Sequence, residues 1–304
     1  MRKIITLTLT ISMLLTVLVA SAACGIPGNK VAVISLSGPI QSERTGFLFG
    51  GSIISPQLVR GYLERANEDI TVKAIVLQIE SPGGSVAACQ EILNEIERVD
   101  KPIVVSMGTL VASGGYYISA KADKIVALPG TLTGSIGVIA QVANIKGLYD
   151  KLGIDMEVFK AGKYKDMYAG IRELTPEERM LMQEITVRLY EQFIEAVAEG
   201  RGLSKEKVME LATGQLYTGE QAKELGLVDE LGGINTAIDL AASLAGIEEP
   251  EVEYYKREVP SLLDYIVGMN WQGLQNLVRV GVLGVEGIIL QEILNNPYPQ
   301  PEYR

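Results

Sequence analysis

The chain has 304 residues, 47% of them hydrophobic, a formal net charge of −10 and no histidine. That length suits one large α/β domain or two smaller ones. The acidic balance and the lack of a basic stripe argue against a nucleic-acid partner. Two isolated cysteines, Cys24 and Cys89, without any histidine cannot build a metal cluster, and no cofactor is indicated.

The first 23 residues read as a targeting segment. Arg2 and Lys3 give a basic start, Ile4 to Ala20 is uncharged and mostly apolar, and Ser21-Ala22-Ala23 are small. Cys24 follows at once and is a candidate for lipidation. Ordinary cleavage after Ala23 and an uncleaved anchor are the alternatives, since the run is near the ~20 residues that span a bilayer. All three export the rest of the chain.

Gly25 to Asn29 is a linker, and Lys30 to Ser37 reads as a strand ending in a Gly38-Pro39 turn. Gln41 to Gly51 is a loop with an apolar Phe47-Leu48-Phe49 tip. Ser55-Pro56 starts a helix, with proline at its first position and Leu58, Val59, Tyr62, Leu63 and Ala66 on its buried face. Val72 to Glu80 is a strand apolar enough to be buried on both faces, as in a parallel sheet. Ser81-Pro82-Gly83-Gly84-Ser85 is its turn, Val86 to Val99 the next helix, and Pro102 to Ser106 the next strand. Cys89, on that helix, reads as a small buried hydrophobe.

A run of small residues and glycines then leads into a helix from about Gly114. Ser113 sits where loop becomes helix. Taken alone, a serine there reads first as a cap. It is also placed to be a nucleophile at the positive end of a helix.

Lys124 to Leu128 is a short strand, Pro129 to Gly137 a loop dense in glycine and hydroxyls, and Val138 to Val142 a resumed apolar run. Ile145 to Leu152 is a helix stopped by Gly153, and Ile154 to Phe159 a strand. Lys160 to Met167 follows. Thr175-Pro176-Glu177-Glu178 caps a helix running to about Gly200. Shorter helices start at Ser204 and Gly219. Leu231-Gly232-Gly233 turns into a helix over Ile234 to Leu244, and Glu251 to Tyr255 alternates like an edge strand. Pro260 to Leu294 is largely apolar and helical, but its charges argue against a membrane span. The repeating strand, glycine turn and helix predict a parallel α/β arrangement with its site at the carboxyl ends of the strands.

A serine nucleophile needs a base. Without histidine, the precedent left is a lysine kept neutral by burial. Lys165, in Gly162-Lys163-Tyr164-Lys165-Asp166, is the candidate, and Lys163 is its rival by chemistry alone.

Four elements therefore stand out in order: Ser81-Pro82-Gly83-Gly84-Ser85, Ala112-Ser113-Gly114-Gly115-Tyr116-Tyr117, Thr133-Gly134-Ser135-Ile136-Gly137-Val138, and Gly162 to Asp166. Each alone is weak, but jointly they resemble the signal peptide peptidase A family over roughly Lys30 to Leu240. The resemblance implies a membrane-anchored serine protease of the α/β, ClpP/crotonase-like fold, with repeated ββα-type units. It implies a Ser-Lys dyad in which Ser113 matches the nucleophile and Lys165 the general base. Ser135 matches the serine that aims the lysine ammonium. Gly84 matches an oxyanion-hole donor, with the Gly114 N–H as a plausible second.

The expected organisation is a signal or anchor at 1–23, a linker at 24–29, a protease domain at 30–245 and a C-terminal extension at 246–304. The family implies a ring-like homo-oligomer, hydrophobic peptide substrates such as remnant signal peptides, and a catalytic domain on the extracytoplasmic side. Rival readings are an acyl-CoA enzyme of the crotonase type, a non-catalytic membrane scaffold, and an exported protease acting on membrane-protein fragments.

Overall fold

The structure, a computed structural model, describes residues 28–42 and 52–255. The N-terminal segment with Cys24, the Phe47-Leu48-Phe49 tip and the stretch from 260 to 294 lie outside these residues. No helix among the described residues is long and apolar enough to cross a membrane.

The body is one eight-stranded sheet. Its strands are β1 (Lys30–Ser37), β2 (Val72–Ser81), β3 (Ile103–Ala112), β4 (Lys124–Ala127), β5 (Leu132–Gly134), β6 (Leu216–Thr218), β7 (Glu230–Leu231) and β8 (Glu251–Tyr255). The main path runs β6-β5-β3-β2-β1-β8, with β4 joined to β3 and β7 to β4. Every pairing is parallel except β5 with β6.

The helices are α1 (Pro56–Glu68), α2 (Val86–Glu97), α3 (Gly114–Ser119), α4 (Lys146–Leu152), α5 (Pro176–Arg201), α6 (Lys205–Leu211), α7 (Gly219–Glu224) and α8 (Ile234–Leu244). Alternate residues of β1 serve opposite faces of the sheet. Val31 and Val33 pack with Ala74, Val76, Val104 and Val126 against the alanine-rich face of α8. Ala32, Ile34 and Leu36 point into the larger core under α1, α2, α3 and α5. Burial on both faces explains the nearly continuous apolar runs of β1 and β2.

β3 forks the sheet. Its first half pairs with β4, Val104 to Ser106 against Lys124 to Val126. Its second half pairs with β5, Leu110 to Ala112 against Leu132 to Gly134. Between the pairs Ile79–Met107 and Ser81–Val111, β2 advances two residues while β3 advances four. Such an insertion bends a strand. The Glu80 carboxylate accepts hydrogen bonds from the N–H groups of Thr109 (2.6 Å) and Leu110 (3.1 Å) in that bulge. Gly108 leaves room for this carboxylate, since a Cβ there would stand 2.1 Å from Glu80 Oε2 and displace it.

Some expectations change. β3 continues to Ala112 instead of stopping at Ser106, and the hydroxyl-rich loop contains β5. The strand expected over Ile154 to Phe159 does not form. Its apolar residues stand in solvent, Phe159 at 87% exposure, because no sheet edge is there to accept them. The caps behave as read. Ser55 caps α1, Thr175 and Glu178 form a complete capping box on α5, and Gly153 ends α4 in the left-handed conformation.

Candidate active site

The turn after β2 and the turn after β3 meet at the carboxyl ends of their strands. In the first, the Gly83 N–H donates to Ser81 Oγ at 3.1 Å. The Gly83 carbonyl accepts from Ile40 N and the Ile40 carbonyl accepts from Ser85 N, both at 2.9 Å. Gly84 between them keeps an N–H with no partner among the described residues.

In the second turn, Ser113 has φ 52° and ψ −121°. A non-glycine residue in that region carries about 1–3 kcal/mol of strain and persists only where its surroundings enforce it. Two hydrogen bonds enforce it here: Ser113 N donates to Gly134 O and Tyr117 N donates to Ser113 O, both at 2.9 Å. The hydroxyl does not cap α3. The Gly114 N–H, at the start of α3, likewise has no partner among the described residues.

The turns are packed without room for side chains. A Cβ on Gly83, whose φ is +99°, would lie 2.6 Å from Gly114 N and 2.9 Å from Ser113 Cβ. A Cβ on Gly114 would lie 3.1 Å from Gly84 N and 2.6 Å from Cys89 Sγ. Two N–H groups without partners among the described residues thus lie in turns packed against a strained serine, and such free backbone donors are what an oxyanion hole is built from.

Ser135 follows β5 with φ 48°. Its N–H donates to Gln215 O at 2.8 Å, and Gly214 N donates to Ile136 O at 3.1 Å. The bond from Ser113 N to Gly134 O thus links the nucleophile candidate directly to the residue before Ser135.

Gly84, Ser113, Gly114 and Ser135 line one cleft of about 530 Å³. Its walls are apolar: Val86 and Cys89 from α2, Tyr117 from α3, and Leu189, Tyr190 and Phe193 from α5. Tyr117 and Phe193 meet edge-on with ring centroids 5.0 Å apart. The Tyr190 hydroxyl donates to Ala212 O at 2.7 Å and so fixes the Ala212-Thr213-Gly214 rim. Burial pushes the Cys89 thiol up to about 12, so it is a wall and not a rival nucleophile. Sequence reasoning missed this wall, although the spacing of 189, 190 and 193 on one helix face was the available signal.

Lys165 does not line the cleft. It is exposed, on a turn-rich segment between α4 and α5. The neighbouring lysines are committed elsewhere. Lys160 pairs with Asp166 at 2.6 Å, and Lys163 pairs with Glu177. The Glu177 carboxylate, helped by Tyr164, holds the Lys163 ammonium above the ordinary lysine value and so protonated. Lys165 has no side-chain partner among the described residues. The described residues contain no group of three or more metal-ligating side chains.

The sequence matches peptidase family S49 over residues 95–248 and the Clp protease family over residues 34–134. A protein of Enterococcus faecium described as a putative signal peptide peptidase is 34% identical over 285 residues, 92% of this chain and 82% of that protein. Protease 4 of Salmonella typhi is 38% identical over 244 residues, 79% of this chain but 38% of its own length. Among solved structures, a membrane-bound stomatin-specific protease superposes with a TM-score of 0.51 at 18% identity, covering 77% of this chain and all of that one. That likeness concerns the fold alone. These matches identify a serine protease, and the chain belongs to peptidase family S49.

Proposed function

We propose that the protein is a membrane-associated endopeptidase that cuts hydrophobic peptides, such as cleaved signal peptides, with Ser113 as nucleophile and Lys165 as general base. The observation that carries this reading is that Gly84 and Gly114, each with an N–H free of partners among the described residues, line one apolar cleft with the strained Ser113. Ser113 Oγ attacks the peptide carbonyl carbon while Lys165 Nζ takes its proton. The oxyanion is held by the two N–H groups. The protonated amine then gives its proton to the leaving nitrogen, and water releases the acyl group by the same route. Ser135, which lines the same cleft, is the residue proposed to aim the ammonium. The apolar walls suit an apolar side chain next to the scissile bond, and the Enterococcus faecium relative, a putative signal peptide peptidase, agrees in substrate class.

The base is delivered by a second copy of the chain. Asp166, next to Lys165, is tied to Glu178 through Arg172. The cleft begins at Leu189, eleven residues further along α5, about 16 Å at 1.5 Å per residue. The segment bearing Lys165 also exposes Leu148, Leu152, Met156 and Phe159, an apolar surface that a monomer would leave wet. A ring of copies covers that surface and completes each cleft. Residues 1–23, with or without lipidation of Cys24, would hold such a ring at the outer face of a membrane.

The test uses the full chain in detergent and a fluorogenic apolar peptide, with wild type, Ser113→Ala, Lys165→Ala and Lys163→Ala compared across pH. A lysine base acts only when neutral, so wild-type activity should climb with pH. Ser113→Ala and Lys165→Ala should be inert and Lys163→Ala active. Co-assembling the two inert variants should restore activity, because some clefts then join an intact serine to an intact lysine. An active Lys165→Ala removes the base assignment. Inert mixtures remove the second-copy delivery. A folded, inert wild type removes the protease reading.

A further inference from the structure

We propose that Arg172 is the positioning residue for the general base, clamping the Lys165 turn to the first turn of α5. This rests on the reading of Lys165 as base. All five Arg172 N–H donors are spent. Nε donates to Asp166 Oδ2 at 2.9 Å and Nη2 to Asp166 Oδ1 at 2.8 Å. Nη1 and Nη2 donate to Glu178 Oε2 and Oε1 at 2.8 and 2.7 Å. The last donor, on Nη1, reaches Glu173 O at 3.0 Å.

Both carboxylates are well shielded, the Asp166 side chain at 10% exposure and that of Glu178 at 3%. Glu178 is in turn fixed to the helix, since it also accepts from Thr175 N at 2.8 Å in the capping box. A rigid path therefore runs from the frame of α5 through Glu178 and Arg172 to Asp166, the residue that follows Lys165.

Lys163 and Tyr164 also reach the first turn of α5, but through the half-exposed Glu177, so the shielded Arg172 bridge is the firmer tie. Residues 160–170 belong to no helix or strand. Their local backbone bonds run from Lys165 N to Gly162 O, Met167 N to Tyr164 O and Ala169 N to Asp166 O. A base must be held to within about half an ångström to be productive. The clamp fixes the backbone beside Lys165 while leaving that side chain unpaired. Asp166 is already engaged by Arg172 and, at 2.6 Å, by Lys160, and it makes no bond to the Lys165 ammonium.

The experiment measures kcat and KM of the full-length assembled enzyme on the apolar peptide. Arg172→Gln should lower kcat about 10–100-fold, the cost of a misplaced catalytic group, with KM within about twofold. Arg172→Lys should recover little, because a single ammonium cannot replace a planar five-donor fork. Asp166→Asn, which leaves the capping box whole, should show the same loss and serves if Arg172→Gln does not fold.

The decisive arm is chemical rescue. Ethylamine supplied to Lys165→Ala stands in for the missing base, and adding Arg172→Gln to that background should leave the rescued rate unchanged. An equal loss in both backgrounds makes Arg172 merely structural and overturns the proposal. So does a wild-type kcat in Arg172→Gln while Lys165→Ala is inert, in which case the base assignment stands. An active Lys165→Ala instead removes the base assignment and the proposal with it.

Discussion

Gly84→Ala tests the oxyanion hole with a single methyl group. The added Cβ would stand 2.0 Å from Ile40 O and 2.8 Å from Ile40 N. Opening the closer contact to 3.0 Å, the shortest that real Cβ contacts show, needs about 1 Å of movement. Ile40 is not the partner that yields. It is fully buried and held on both sides by its bonds to Gly83 O and Ser85 N. The Gly84 peptide therefore moves, and its N–H leaves the position beside Ser113. Overpacking of this kind costs about 1–3 kcal/mol in stability. Loss of one oxyanion donor lowers kcat about 10²–10³-fold, or roughly 2.7–4 kcal/mol in the barrier. The assay is steady-state hydrolysis of the apolar peptide together with a thermal melt. The expected result is a folded protein, melting a few degrees lower, with kcat down by at least two orders of magnitude. A folded variant that keeps more than a third of wild-type kcat would refute the assignment of the Gly84 N–H as a donor.

Two further outcomes follow from local structure. Gly61 lies inside α1 with nothing within 4 Å of where a Cβ would be, so Gly61→Ala should stabilise by about 0.5–1 kcal/mol and raise Tm by about 1–4 °C; a lower Tm would contradict the open surface there. The Arg172 fork, with the Thr175 N–H, holds Glu178 down at about 2, and Arg172 with Lys160 holds Asp166 below the usual carboxylate range. Carboxylates lowered in the folded state stabilise it fully above their unfolded values, near 4 to 4.5, and lose that contribution as pH falls toward 2. The melting difference between wild type and Arg172→Gln should therefore be full at pH 6 and shrink toward pH 2, and a constant difference would refute the coupling.

The sequence was most informative where local chemistry and tertiary environment agree. β1, β8 and α8 begin and end where their patterns say, because both-face burial, edge alternation and a glycine turn each leave a clear mark. β5, β6 and β7 span three, three and two residues, too few to show a period, and exist only because the sheet presents an edge to them. Ile154 to Phe159 shows the converse: β-branched and aromatic residues with no edge in reach. At the site, the glycine pairs pointed to tight backbone approach. The left-handed backbone of Ser113 was not legible, since it depends on Gly134, distant in sequence. The choice between Lys163 and Lys165 rests on the motif; the structure adds that Glu177, brought in by α5, pairs with Lys163.

Ser113 and Ser135 both hold backbone conformations that favour glycine. Replacing either by glycine would relax the chain, so selection for heat resistance alone would push both positions away from serine. A lineage drifting that way would gain robustness and lose its hydroxyls together. Thermostabilised variants of this enzyme should therefore be screened for turnover first, because the easiest gains in endurance lie at the two serines proposed here to serve the reaction.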